Sequence, residues 1–81
     1  MIVYLSLGSN LGNRRKQLIT ASALLAERAG DILSLSGYYE TAPWGFSSEH
    51  PFLNAALKLE TTLAPPELLS VTQQIERELG R

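Results

Sequence analysis

Four places along the chain bring together residue types that could do chemistry. The first is the turn Gly8-Ser9-Asn10-Leu11-Gly12, where glycines around short polar side chains suggest a backbone cradle for phosphate. It matches neither G-x-x-x-x-G-K-S/T nor G-x-G-x-x-G, because no lysine followed by a hydroxyl residue is present and there is no third glycine. By itself it reads as a strand-to-helix turn that needs glycine conformations and an Asn cap. The second is Gln73 and Glu76, spaced i, i+3 so that both reach one ligand from one helix face; alone, they read as an ordinary solvated face. Glu76 and Glu78, at i, i+2, point about 200° apart and cannot share a metal ion. The third is His50, the sole imidazole, which sits between Glu49 and Pro51 and reads as a solvated loop side chain. The fourth is the aromatic segment, with Trp44 and Phe46 among prolines and glycine, then Phe52 and Asn54. Rings beside a carboxamide make a pocket for a flat heterocycle, stacked on one side and read along its edge by hydrogen bonds. Taken alone, Phe52 equally reads as the first core residue of a strand.

Composition narrows the field. The chain has 81 residues, 7 basic against 8 acidic, so the broad positive footprint of a nucleic-acid binder is missing. There is no cysteine, which excludes thiol nucleophiles and cysteine zinc sites. The start, MIVYLSLGSN, has neither the basic stretch nor the long apolar run of a secretory signal, and a cytoplasmic protein is expected. At this length one small domain is allowed, with a core near the lower limit for independent stability.

The elements that must position these residues follow from periodicity. Residues 2–8 alternate as a strand. Asn13 caps a helix carrying Leu18, Ala21, Leu25 and Arg28 at helical spacing, ended by Gly30. A one-sided strand with Leu33, Leu35 and Gly37 on one face runs on toward Thr41. After the Pro/Gly loop, Leu53, Ala55, Leu57, Leu59 and Thr61 face one way, which leaves Asn54 on the polar side. Pro65 and Glu67 suit the first turn of a second helix with Leu68, Thr72, Ile75 and Leu79 inward. The order predicts an α+β, ferredoxin-like βαββα(β) sandwich: an antiparallel sheet with helices on one face and its last strand absent.

In family order and at family spacing, LSLGSNLGNR, SGYYETAPWG, PFLNAALKLET and LAPPELLSVTQQIERELGR together resemble 6-hydroxymethyl-7,8-dihydropterin pyrophosphokinase. The resemblance covers the whole chain. It implies transfer of pyrophosphate from ATP to the pterin hydroxymethyl in folate biosynthesis, with small-molecule substrates only and no nucleic-acid or membrane partner. It also implies that the pterin lies over Phe52, is read by Asn54 and meets Thr41, Ala42 and Trp44. Gln73 and Glu76 then fall on ATP-contacting positions, Arg81 on the first arginine of a catalytic loop, and Gly8, Ser9 and Asn10 border the site in support. The family's following Trp-Gly-Pro-Arg segment, which supplies a second stacking aromatic and further phosphate-binding arginines, and its Asp-x-Asp, whose carboxylates hold two Mg²⁺, have no counterpart in these residues. Residues 1–81 are therefore expected to be the N-terminal part of a single pyrophosphokinase domain, truncated before its metal-binding segment and inactive alone. An uncovered first strand, residues 2–7, is expected to favour self-association. The alternative is a non-catalytic ferredoxin-like module for small-ligand binding or assembly.

Overall fold

The computed structural model describes residues 1–10, 12–41 and 51–80. In chain order the elements are β1 (Ile2–Ser9), α1 (Arg14–Arg28), β2 (Asp31–Leu35), β3 (Tyr39–Thr41), β4 (Phe52–Glu60) and α2 (Pro65–Glu78). Because β4 has the clearest alternation of apolar and polar residues, it takes the centre of the sheet. It pairs antiparallel with β1 on one side and with β2 and β3 on the other. Its odd-numbered residues Ala55, Leu57 and Leu59 are buried, and Ala21 and Leu25 of α1 with Leu68 and Ile75 of α2 complete the core around the last two. The result is the expected α+β arrangement, an antiparallel four-stranded sheet with both helices on one face, consistent with a ferredoxin-like fold.

Local chemistry explains where the helices start. Gly12 turns at φ 58°, and the Asn13 side-chain oxygen accepts from the Lys16 amide at 3.1 Å, which satisfies one of the orphan donors of α1. α2 begins on Pro65, whose missing N–H costs nothing in the first turn, and carries Glu67 at the positive end of the helix. Along α1 the buried stripe ends on Ala29 and not on Arg28. Arg28 is exposed and forms a two-bond ion pair with Glu78 of α2, one arm of which, Nη2 to Oε1, measures 2.9 Å. This bonding holds the guanidinium pKa above, and the Glu78 carboxyl pKa below, their ordinary values.

The strand expected to run from Leu33 toward Thr41 divides in two, and its inward face differs. A register shift between Ile32 and Ser34 puts Ile32 opposite Leu59 and against the core, while Leu33 and Leu35 stay 49% and 45% exposed. The extra residue of a bulge resets which side chains face inward, so alternation read through it inverts. Beyond β2, the Ser36 amide donates to the Ala56 carbonyl and the Ser36 hydroxyl accepts from the Ala56 amide, both at 2.8 Å. A side chain here takes over a ladder bond, and regular pairing stops until Tyr39.

One joint ties the chain's distant parts together at the far end of β4. The buried Thr61 hydroxyl donates to the Ala29 carbonyl at 2.5 Å and accepts from the Leu63 amide at 3.0 Å. The Thr61 amide donates to the Met1 carbonyl at 2.9 Å, and the Met1 ammonium donates to the Thr61 carbonyl at 3.0 Å. Beside it Gly30, at φ 154°, runs so close to β4 that a Cβ there would lie 2.0 Å from the Glu60 carbonyl oxygen. No helix among the described residues is long and apolar enough to cross a membrane.

Candidate functional site

At the other end of β4, on the sheet face turned away from the helices, the structure gathers Gly8, Thr41, Phe52 and Asn54. Register does this: Asn54 stands opposite Gly8 of β1 and Tyr39 of β3, and Phe52 stands opposite Thr41. The Asn54 amide nitrogen donates to Thr41 Oγ1 at 2.8 Å and lies 3.3 Å from the Phe52 carbonyl and 3.4 Å from the Tyr39 carbonyl. Carbonyl oxygens only accept, so these neighbours fix which end of the carboxamide is nitrogen. Its oxygen is thereby turned toward Gly8. A Cβ at position 8 would lie 2.9 Å from that oxygen and 3.6 Å from the Phe52 ring, so glycine lets both side chains lie against β1. A fixed amide acceptor beside a ring suits a neutral, flat heterocycle that presents N–H donors along its edge.

On the helix side a cleft opens between the end of β1 and the two helices, lined by Ser6 to Asn10 of the β1 end, by Gln17 and Leu18 of α1 and by Thr72, Ile75, Glu76 and Leu79 of α2. Gly8 belongs to both places, since it borders the cleft and lies against the Asn54 oxygen. Ser9 is buried and Asn10 half-buried in the same wall. Glu76 therefore stands at the cleft, whereas Gln73, exposed on α2, is not in the lining. Thr72 occupies that place, four residues before Glu76 and about 40° from it around the helix. Gln17 was passed over in the sequence, and its one signal is a polar side chain next to the buried Leu18.

The other residues expected at the site, Ala42, Trp44 and Arg81, lie outside the described residues, as do Phe46 and His50. Among the described residues no group of three or more histidine or acidic side chains stands together to hold a metal ion.

The family described as 7,8-dihydro-6-hydroxymethylpterin-pyrophosphokinase (HPPK) matches over residues 4–81. A 2-amino-4-hydroxy-6-hydroxymethyldihydropteridine pyrophosphokinase of Porphyromonas gingivalis is 59% identical over 80 residues, covering 99% of this chain and 54% of that protein. Proteins of the same name from Bacillus subtilis and Aquifex aeolicus are 48% and 43% identical, over 99% and 98% of this chain and 48% and 49% of their own. The chain thus spans about half the length of the curated relatives it matches. With the match running through both the Asn54 cluster and the Glu76 cleft, the chain belongs to the 7,8-dihydro-6-hydroxymethylpterin-pyrophosphokinase family.

Proposed function

We propose that these residues carry the pterin site and part of the ATP site of an enzyme that transfers pyrophosphate from ATP to 6-hydroxymethyl-7,8-dihydropterin in folate biosynthesis. The observation that carries this reading is the Asn54 carboxamide, held by Thr41 with its oxygen turned toward Gly8 and set beside the Phe52 ring. The pterin lies against Phe52 and donates from its ring edge to Asn54. Glu76 and Gln73 meet the nucleotide on the helix side, with Ser9 and Asn10 forming the wall between. Thr41, Ala42 and Trp44 supply further contacts to the heterocycle, and Arg81 supplies positive charge to the phosphates. In the reaction the pterin hydroxymethyl oxygen forms a bond to the β-phosphorus of ATP, the bond from that phosphorus to the α-phosphate oxygen breaks, and AMP leaves. A cytoplasmic location is part of the same proposal.

Transfer of this kind rests on positioning and on neutralising phosphate charge, the latter of which two bound Mg²⁺ would supply. The described lining of the cleft contains Glu76 and no lysine or arginine, so it offers a triphosphate no countercharge. Residues 1–81 alone are therefore expected to bind ligand without turning it over. Calorimetry with 6-hydroxymethylpterin tests the pterin site. Asn54→Ala is expected to cost about 1–3 kcal/mol, or about 5- to 150-fold in Kd, because the ring edge loses its acceptor. Unchanged affinity would remove Asn54 from the site and the reading with it.

The same chain is proposed to self-associate. Among the described residues β1 has β4 on one side and no strand on the other. Residues 2–7 carry no charge and no proline to discourage a further pairing, and Tyr4 is 76% exposed. At micromolar concentration the isolated chain is expected to sediment as a dimer or larger species; a monomer with strongly protected amides along residues 2–7 would contradict this.

A further inference from the structure

Two successive arginines at the start of α1 reach across to the short strand that orients Asn54. With Asn13 capping the helix, Arg14 and Arg15 project from a fixed first turn. Arg14 Nη1 donates to the Pro51 carbonyl at 2.8 Å and Nη2 to Glu40 Oε1 at 3.4 Å. The Arg15 guanidinium lies 5.5 Å from the centre of the Tyr38 ring. One helix turn therefore holds the residue before β3, the middle of β3 and the residue before β4.

The strand held in this way has little else to fix it. β3 is three residues long and pairs with β4 only, through Tyr39, Glu40 and Thr41. Yet the Thr41 hydroxyl and the Tyr39 carbonyl are what turn the Asn54 carboxamide. A displacement of β3 along or away from β4 would release that amide and tilt its oxygen.

We infer that Arg14 is a positioning residue for the Asn54 site: by bonding Glu40 and Pro51 at once, it fixes the middle of β3 relative to the residue that leads into β4. Its planar guanidinium serves two acceptors in one fixed geometry, which a lysine cannot do. The bond to the Pro51 carbonyl, partly buried, contributes more than the exposed pair with Glu40. The consequence for ligand rests on the pterin reading above; the effect on β3 does not.

The experiment uses the full chain with Arg14→Met, which keeps the aliphatic stem without its donors, and Arg14→Lys. Hydrogen exchange at residues 39–41 is expected to quicken about tenfold in Arg14→Met, with α2 and residues 2–7 unchanged. Affinity for 6-hydroxymethylpterin is expected to fall about tenfold while that for ATP holds, and Arg14→Lys is expected to fall between the two. Unchanged exchange at residues 39–41 overturns the inference. So does a uniform acceleration over the whole chain with equal loss of both ligands, which is what a general loss of stability produces. If the unsubstituted chain binds no pterin, the functional reading fails, and the exchange comparison still decides the role of Arg14.

Discussion

Replacing Gly30 by alanine is expected to cost about 3–5 kcal/mol, a large share of the molecule's stability at 25 °C. A Cβ at this position would stand 2.0 Å from the Glu60 carbonyl oxygen and 3.0 Å from the Glu60 carbonyl carbon and Thr61 Cα, all of them backbone of the central strand. No side chain can swing aside to relieve that contact. The turn between α1 and β2 must move off β4, which pulls the Ala29 carbonyl from the buried Thr61 hydroxyl and leaves both without their bond. The φ of 154° adds backbone strain for any residue with a side chain. Strain and a lost buried hydrogen bond together come to about 3–5 kcal/mol. Domains hold roughly 0.05–0.15 kcal/mol per residue, so a chain of 81 residues has about 4–12 kcal/mol to lose. Urea unfolding followed by far-ultraviolet circular dichroism checks this, and a midpoint within a few tenths molar of the parent would show that the turn gives way more easily than its packing implies.

Leu59→Ala is expected to be nearly as damaging, for a different reason. Leu59 is fully buried, stands between Val3 of β1 and Ile32 of β2 in the sheet, and packs in the cluster formed with both helices. Truncation removes apolar contact on all sides and leaves a hole that a central strand cannot collapse, at about 2–5 kcal/mol. Leu59→Met, which nearly conserves volume, is expected to cost less than about 1.5 kcal/mol. Equal losses for the two variants would mean that shape, and not buried volume, governs this site.

These two residues differ in how far the sequence announces them. Leu59 is legible: it sits in an unbroken alternation from Leu53 to Thr61, and period two places it inward without further information. The Asn13 cap, the Pro65 start and the placing of Asn54 on the face opposite the core were legible in the same local way. Gly30 could be read as a helix stop, but its approach to Glu60 joins residues that only the fold makes neighbours. The bulge that turns Ile32 inward in place of Leu33 is likewise set by pairing with β4, not by β2 itself. On α2, the i, i+3 pair of Gln73 and Glu76 looked like one ligand-facing edge, yet the cleft runs along Thr72, Glu76 and Leu79, a line that depends on how α2 lies beside α1. Arg14 is the extreme case. Its partners are 26 and 37 residues away, and no periodicity in a fifteen-residue helix marks it among the three other basic side chains of that helix, Arg15, Lys16 and Arg28.

The pairing pattern of the sheet also governs the order in which it can be built. Every ladder runs through β4, with β1, β2 and β3 each bonded to it and not to one another. As the chain leaves the ribosome, residues 2–9, 31–35 and 39–41 emerge with no strand to pair with until residues 52–60 follow. α1 is then the one regular element that local bonds can form, and at fifteen residues it is marginal without tertiary support. The β1–β4 ladder closes its widest span at Ile2 with Glu60 and its narrowest at Ser9 with Leu53. Folding of this chain is therefore expected to wait on synthesis of β4 and then to proceed as a single late event, with the apolar first strand held unpaired for the longest time.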